Sequence, residues 1–343
     1  MTNTYDSLEI EHSLNLFPEQ IKKTFEEAMS FTLTKFTPKA IVISGMGGSS
    51  NAAKILEGVY EEDFKVPYDI DIHNDYNLPV WVNKDTLVIL NSYSGNTEET
   101  LSAFDDAKMA NAKVIAVTTG GKLKEMIINK EIEGVYVESK SVNPSDYPKA
   151  GLGISFGALS GTLANLGVLK LGKEELFSAL DELSKIRSDW NVLEMANNLN
   201  NFLPVLLSGR PFLGALNSGR NAICEIGRTF TQFYDFPEIN HVLIEATQKP
   251  DFVKEKLKYV FFESDFVHPR VKKRFGITKK IFDEQGNSYL TYTLKGSTKL
   301  VQALELAHYC AWIGLHLSFL RNDDPGPEPW IIKLKESLSQ PVH

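Results

Sequence analysis

Two segments of the chain share one pattern: an apolar run, a turn of small residues, then a helix-forming stretch. They are "KAIVISGMGGSSNAAKIL" and "TLVILNSYSGNTEETLSAFDDAKMA". An unbroken apolar run bounded by a turn reads as a strand buried on both faces. Further strands are expected in "YDIDIHNDYNLP", "AKVIAVTTGG" and "EGVYVESK". Strands alternating with helices specify an α/β fold with a parallel sheet covered on both faces.

The strand-turn-helix order restarts at "NFLPVLLSGRPFLGALNSGRNAICEIGRTF", with later strands in "YVFFESDF" and "YLTYTL". Between the halves lie a polar loop, "SVNPSDYPKA", and an apolar helix, "GISFGALSGTLANLGVL", whose small residues suit close helix packing. An amphipathic helix and linker follow over 172–200. We therefore expect N-terminal helices over 1–38, a first domain over 39–180 and a second over 195–343. The second closes with the long helix "KLVQALELAHYCAWIGLHLSFLRN" and a short terminal one.

The formal net charge is −8, from 36 basic and 44 acidic residues. Bulk attraction to nucleic acid or an anionic membrane is not expected of such a chain. Cys224 and Cys310 belong to no paired-cysteine motif and read as buried thiols of a reducing compartment. The N-terminus is polar and acidic, unlike a targeting sequence, and "CAWIGLHLSFL" is too short to span a bilayer. These features predict a soluble cytoplasmic protein. The histidines His73, His241, His268, His308 and His316 are scattered without metal-motif spacing, so no metal and no cofactor is expected.

The stretch "NSYSGNTEET" ends a buried strand and opens a helix. The first N–H groups of a helix have no internal partners, and the dipole adds positive charge there. Ser92, Ser94 and Thr97 add hydroxyl donors, and Gly95 lets the backbone approach a ligand. A phosphate on a small molecule fits; a Walker P-loop does not, because the loop has no lysine. The competing explanation is a helix cap, with Glu98 and Glu99 in the first turn. The turn "GMGGSS" lacks the full dinucleotide spacing, since Ser50 takes the last glycine position. Asp69 or Asp71 would be a poor ribose acid. Sugar hydroxyls meeting bare backbone at Gly47 and Gly48 is the better use, and a tight ligand-free turn is the alternative.

Together, "GMGGSS" and "SYSGNTEETL" resemble the sugar isomerase (SIS) domain, a phosphosugar-binding α/β module. "DYNLPVWVNKDTLVILNSYSGNTEETL", "AVTTGGKL" and "YPKAGLG" resemble the first half of the archaeal-type bifunctional phosphoglucose/phosphomannose isomerases. "FPEINHVLIEA" and "LRNDDPGPEPWIIKLK" resemble the second half. The resemblance implies two SIS domains, each a doubly wound, flavodoxin-like parallel sheet, and a homodimer that shares its active site. It implies a sugar phosphate as the partner molecule, with phosphate held by Ser92, Ser94 and Thr97. Gly47, Gly48 and Ser49 would lie against the sugar. Glu225 would be the catalytic base, His241 would stand sixteen residues on, and Lys335 would come from the "DPxP…LK" pattern. Where the family has a proline-arginine pair, this chain has Pro148 and Lys149. Where the family has Asn-Glu-Asn-Ala-Lys, it has Cys224, Glu225, Ile226, Gly227 and Arg228.

The implied reaction moves a carbonyl between C1 and C2 of glucose 6-phosphate and fructose 6-phosphate, and of mannose 6-phosphate, through a cis-enediol. It needs a carboxylate to carry a proton, an acid/base to open the ring and positive charge near the enediolate oxygens. Glu225, His241 and Lys149 supply one of each. By position alone, Glu225 reads as a solvated helix carboxylate, His241 as a satisfied structural or surface histidine, and Lys149 and Lys335 as surface groups. Glu238 and Glu245 are nearby carboxylates of the same kind. Two other functions fit the motifs: a phosphosugar-binding regulator without catalysis, and an isomerase of another phosphosugar.

Overall fold

The computed structural model describes residues 5–60 and 70–338. It opens with α1 (Ile10–Asn15) and α2 (Phe17–Ser30). The first sheet and its helices follow: β1 (Ala40–Ser44), α3 (Gly47–Tyr60), β2 (Ile70–His73), β3 (Thr86–Ser92), α4 (Glu98–Met109), β4 (Lys113–Thr118), α5 (Gly121–Ile128) and β5 (Glu133–Tyr136). Then come α6 (Leu152–Leu166), α7 (Lys173–Arg187) and α8 (Val192–Leu199). The second sheet is built from β6 (Leu203–Gly209), α9 (Leu213–Glu225), β7 (Gln232–Phe236), α10 (Ile239–Ala246), α11 (Val253–Lys256), β8 (Leu257–Glu263), α12 (Pro269–Gln285) and β9 (Tyr289–Thr293). Helices α13 (Lys299–Leu320) and α14 (Pro329–Leu338) end the described chain.

Every strand pair is parallel, so each connection must cross a sheet face. The first sheet has the order β2-β1-β3-β4-β5, the flavodoxin-like winding; the second has β7-β6-β8-β9. Alternation along β1 and β3 divides the apolar side chains between the faces. Ile41, Ile43, Leu87 and Ile89 join a core with Ile55 of α3 and Phe156 of α6. Val42, Val88 and Leu90 join Ala103 and Ala107 of α4 and Leu123 of α5. The first of these cores runs on into the second sheet through Leu207, Phe261 and Leu304. The halves are thus welded by shared apolar burial.

The small residues of α6 serve close packing, as the sequence predicted. A side chain at Gly157 would stand 2.3 Å from Thr24 Oγ1 and 2.5 Å from the Ile21 carbonyl, so α2 lies directly on this face. Strand β7 and helices α5, α10, α11 and α12 went unread in the sequence. Strand β7 is an edge strand that leaves Tyr234 exposed, so its apolar signal is weak. Helix α12 is rich in lysine and arginine, with its buried stripe reduced to Val271, Phe275, Thr278 and Phe282. Helix α5 is only eight residues long. Among the described residues, no helix is long and apolar enough to cross a membrane. Asp69, weighed above as a ribose acid, lies outside the described residues.

Candidate active site

Strand β3 is buried along its whole length and delivers Ser92 to the carboxyl edge of the first sheet. The Ser92 and Thr97 hydroxyls are 2.7 Å apart and share a hydrogen bond. Gly95 N donates to Ser92 Oγ at 3.1 Å, and Asn96 N donates to Ser94 Oγ at 3.3 Å. Thr97 stands at the N-cap position of α4, yet its hydroxyl does not cap the helix. The hydroxyls therefore converge on one another, and no side chain of the N-cap covers the first helical turn. That arrangement suits an anion better than a simple cap.

The loop is rigidly backed. Gly95 has φ +70°, and a Cβ there would sit 1.9 Å from the Gly120 carbonyl oxygen, so only glycine fits. Lys122 N donates to Asn96 Oδ1 at 2.9 Å, and Thr119 Oγ1 donates to the Tyr93 carbonyl at 2.7 Å. The turn after β1 leans on the same loop. Tyr93 N donates to Ser49 Oγ at 3.1 Å, and Asn91 Nδ2 donates to the Ser49 carbonyl at 2.9 Å. Ser49 is buried and thus fastens the two turns together. The free side of Gly48 faces the Pro148 carbonyl, 3.6 Å from where a Cβ would stand. Tyr93 also reaches the loop before α6: its hydroxyl accepts from Asn143 Nδ2 at 2.8 Å, and the same Nδ2 donates to the Tyr147 carbonyl at 3.0 Å. The hydroxyl loop and the Pro148-Lys149 turn are therefore one bonded unit.

Lys149 points away from solvent, with 1% of its side chain exposed. Its ammonium lies 3.1 Å from Glu328 Oε1 and donates to the Gly326 carbonyl at 2.6 Å. Burial pulls its pKa below the ordinary lysine value, while Glu328 and Glu225 act in the other direction. Glu225 ends α9 and is partly buried. Burial, reinforced by the neighbouring Glu328 charge, pushes its carboxyl up to about 7; Lys149, Arg220 and Lys335 pull the other way. A carboxylate with this pKa can accept and return a proton near neutrality. Arg228 Nη2 donates to the Pro327 carbonyl at 2.8 Å, which clamps the segment after Glu225 to the "DPGPEP" segment.

Glu225, Lys149 and the charge of Lys335 are thus brought together, although the Lys335 side chain itself is exposed on α14. His241 is exposed on α10, and among the described residues no bond links it to Glu225. Two charged members of the site went unread in the sequence. Glu328 lies inside the "DPxP…LK" pattern, in which the resemblance marks only the lysine. Arg220 sits on α9, where Nη2 donates to Asn217 Oδ1 at 2.6 Å, and Asn217 Nδ2 donates to Asn51 Oδ1 of α3 at 2.6 Å. No spacing in the sequence marks Arg220. Cys224 and Cys310 are both free thiols. Among the described residues, no group of three His, Cys, Asp or Glu could hold a metal ion.

Two wound parallel sheets, the first carrying the Ser92–Thr97 hydroxyl loop at its carboxyl edge and the second the helix that ends in Glu225, form the fold of a SIS phosphosugar isomerase. A family model described as the bacterial phospho-glucose isomerase C-terminal SIS domain matches residues 191–338. The bifunctional phosphoglucose/phosphomannose isomerase of Caldicellulosiruptor bescii is 32% identical over 336 residues, covering 94% of this chain and 97% of the relative. That of Aquifex aeolicus is 33% identical, covering 88% and 91%. Among solved structures, tagatose-6-phosphate ketose/aldose isomerase from Escherichia coli superimposes with a TM-score of 0.69 at 14% identity, covering 96% of this chain and 98% of that one. The chain belongs to the bifunctional phosphoglucose/phosphomannose isomerase family.

Proposed function

We propose that the protein interconverts glucose 6-phosphate, fructose 6-phosphate and mannose 6-phosphate by proton transfer through a cis-enediol. The observation that carries this reading is Glu225, a partly buried carboxyl held at about 7 beside a buried ammonium. An isomerase base must take a proton from one carbon and return it to the next, so a pKa near the working pH serves both steps. Lys149 supplies charge where the enediolate oxygens develop theirs. Ser92, Ser94 and Thr97 hold the phosphate, and the open space at Gly47, beside Gly48 and Ser49, takes the sugar. The enediol is common to all three sugars. Returning the proton to one face of C2 gives the glucose epimer, and to the other face the mannose epimer.

Ring opening falls to His241, supplied by a second copy of the chain. Its exposure supports this, as do the apolar residues that α14 leaves uncovered: Trp330 is 79% exposed and Leu334 58%. The reading therefore includes a homodimer with a shared site. Free Cys224 and Cys310 suit a cytoplasmic location.

The test is a coupled assay on the purified chain. Fructose 6-phosphate and mannose 6-phosphate are supplied separately, with glucose-6-phosphate dehydrogenase and NADP reporting product. The reading expects NADPH from both. NADPH from neither, with sugar phosphate still bound, would replace it with a regulator or an isomerase of another phosphosugar.

A further inference from the structure

The second sheet has a crevice of its own. In the order β7-β6-β8-β9 the connections diverge between β6 and β8, and ligands of wound sheets bind outside the carboxyl ends at such a switch point. The hydroxyl loop and glycine turn occupy the equivalent place, between β1 and β3, in the first sheet. In the second sheet this place is a cavity of about 520 Å³, within the range of small-metabolite sites. Arg210 enters from the turn after β6, Phe266 and His268 from the turn after β8, Lys299 from the start of α13, and Lys54 and Glu57 from α3.

The charge of the described lining residues is one-sided. Lys54, Arg210 and Lys299 are cations, and among the described residues none of them is within 4.0 Å of a carboxylate. Among the described lining residues, Glu57 is the one acid. Asp265, in the same turn as His268, is already paired with Lys272. Lys54 is partly buried, and burial together with the Arg220 charge lowers its pKa, with Glu57 acting in the other direction. An anion here would relieve that strain.

The cavity is not a copy of the hydroxyl loop. Ser264 turns inward: its hydroxyl donates to Gln302 Oε1 at 2.5 Å and accepts from Phe266 N at 2.9 Å. His268 Nδ1 accepts from Arg270 N at 3.1 Å, so the first turn of α12 is already capped. Side-chain cations, not backbone N–H groups, must meet the ligand. The walls are fixed by direct backbone contact. A Cβ on Gly58 would stand 2.4 Å from the Pro211 carbonyl oxygen, and one on Gly214 would stand 2.3 Å from the Lys54 backbone.

We propose that this cavity binds a small phosphate-bearing polyanion, at a site separate from the candidate active site and at the opposite end of α3 from the glycine turn. Arg210 and Lys299 grip the phosphate oxygens from two sides, and Lys54 adds charge from the first half of the chain. This goes beyond the isomerase reading and does not depend on it.

The experiment is calorimetric titration of the full-length chain with inorganic pyrophosphate. It is run on the unaltered chain, on Arg210→Gln/Lys299→Gln, and on Ser92→Ala/Thr97→Val. The expected result is pyrophosphate binding that survives Ser92→Ala/Thr97→Val and weakens about tenfold or more in Arg210→Gln/Lys299→Gln. Fructose 6-phosphate turnover stays at the level of the unaltered chain in the latter variant. Both altered side chains are exposed, and the single charge reversal Lys299→Glu gives a second variant expected to weaken binding. No pyrophosphate binding, or binding that is lost in Ser92→Ala/Thr97→Val and unchanged in the other two, would overturn the proposal.

Discussion

Glu225→Gln is expected to lower fructose 6-phosphate turnover by roughly 10²- to 10⁴-fold, the usual worth of a positioned acid/base. The amide fills the same volume but cannot carry a proton between carbons, so substrate binding changes little. The same variant should gain stability. In the folded chain the carboxyl titrates at about 7, against an ordinary value of 4.5. Between those values the native state holds a proton that the unfolded chain has lost. The contribution to stability is therefore complete below about 4.5, falls as pH rises towards about 7, and stays lost above it. By linkage the whole difference is on the order of 3 kcal/mol. Urea denaturation at pH 8 should show Glu225→Gln more stable than the unaltered chain by up to about that amount, with the gain absent at pH 4.5. A glutamate on a solvated helix face would show neither the loss of turnover nor the gain in stability.

Lys149→Met is expected to fail in the opposite sense, losing stability as well as activity. It leaves Glu328 beside Glu225 without its ammonium partner, and truncating one partner of a buried pair costs about 3–5 kcal/mol. Lys149 is one of the charges that hold the Glu225 pKa down, so its loss pushes that carboxyl above about 7. The acid limb of the activity profile then moves to higher pH, a displacement that a merely loosened fold would not produce. Lys149→Arg keeps the charge and can still reach Glu328 and the Gly326 carbonyl. It should retain most of the stability and leave the acid limb close to its original position. Denaturation curves and pH–rate profiles on the three proteins check this.

What the sequence made legible was local. The βα order, the hydroxyl loop at Ser92–Thr97 and the packing role of the α6 glycines follow from short-range pattern, and each stands in the structure as a contiguous element. Cap and anion loop were not separable in the sequence, because both need the same residues. In the structure the Thr97 hydroxyl bonds to Ser92 and does not cap α4, which favours the anion reading over a simple cap. Glu225 was illegible for another reason. Its position at the end of an ordinary helix predicts a solvated carboxylate. Its pKa comes from burial and from Glu328, about a hundred residues away along the chain and clamped there through Arg228 and Pro327. Lys149 likewise reads as a surface lysine after a proline, until Glu328 and the Gly326 carbonyl close over it. Family resemblance singled out both residues, while chain pattern alone did not. Arg220 carried no pattern of either kind.

The most direct measurement is the pH dependence of kcat/KM for fructose 6-phosphate between pH 5 and 9. If Glu225 is the base in the setting described, activity falls on the acid side with a midpoint near pH 7. Lys149→Met moves that midpoint upward. A profile that stays flat from pH 5.5 to 8, or a midpoint unmoved by Lys149→Met, would contradict the assignment and place the reacting proton on another group.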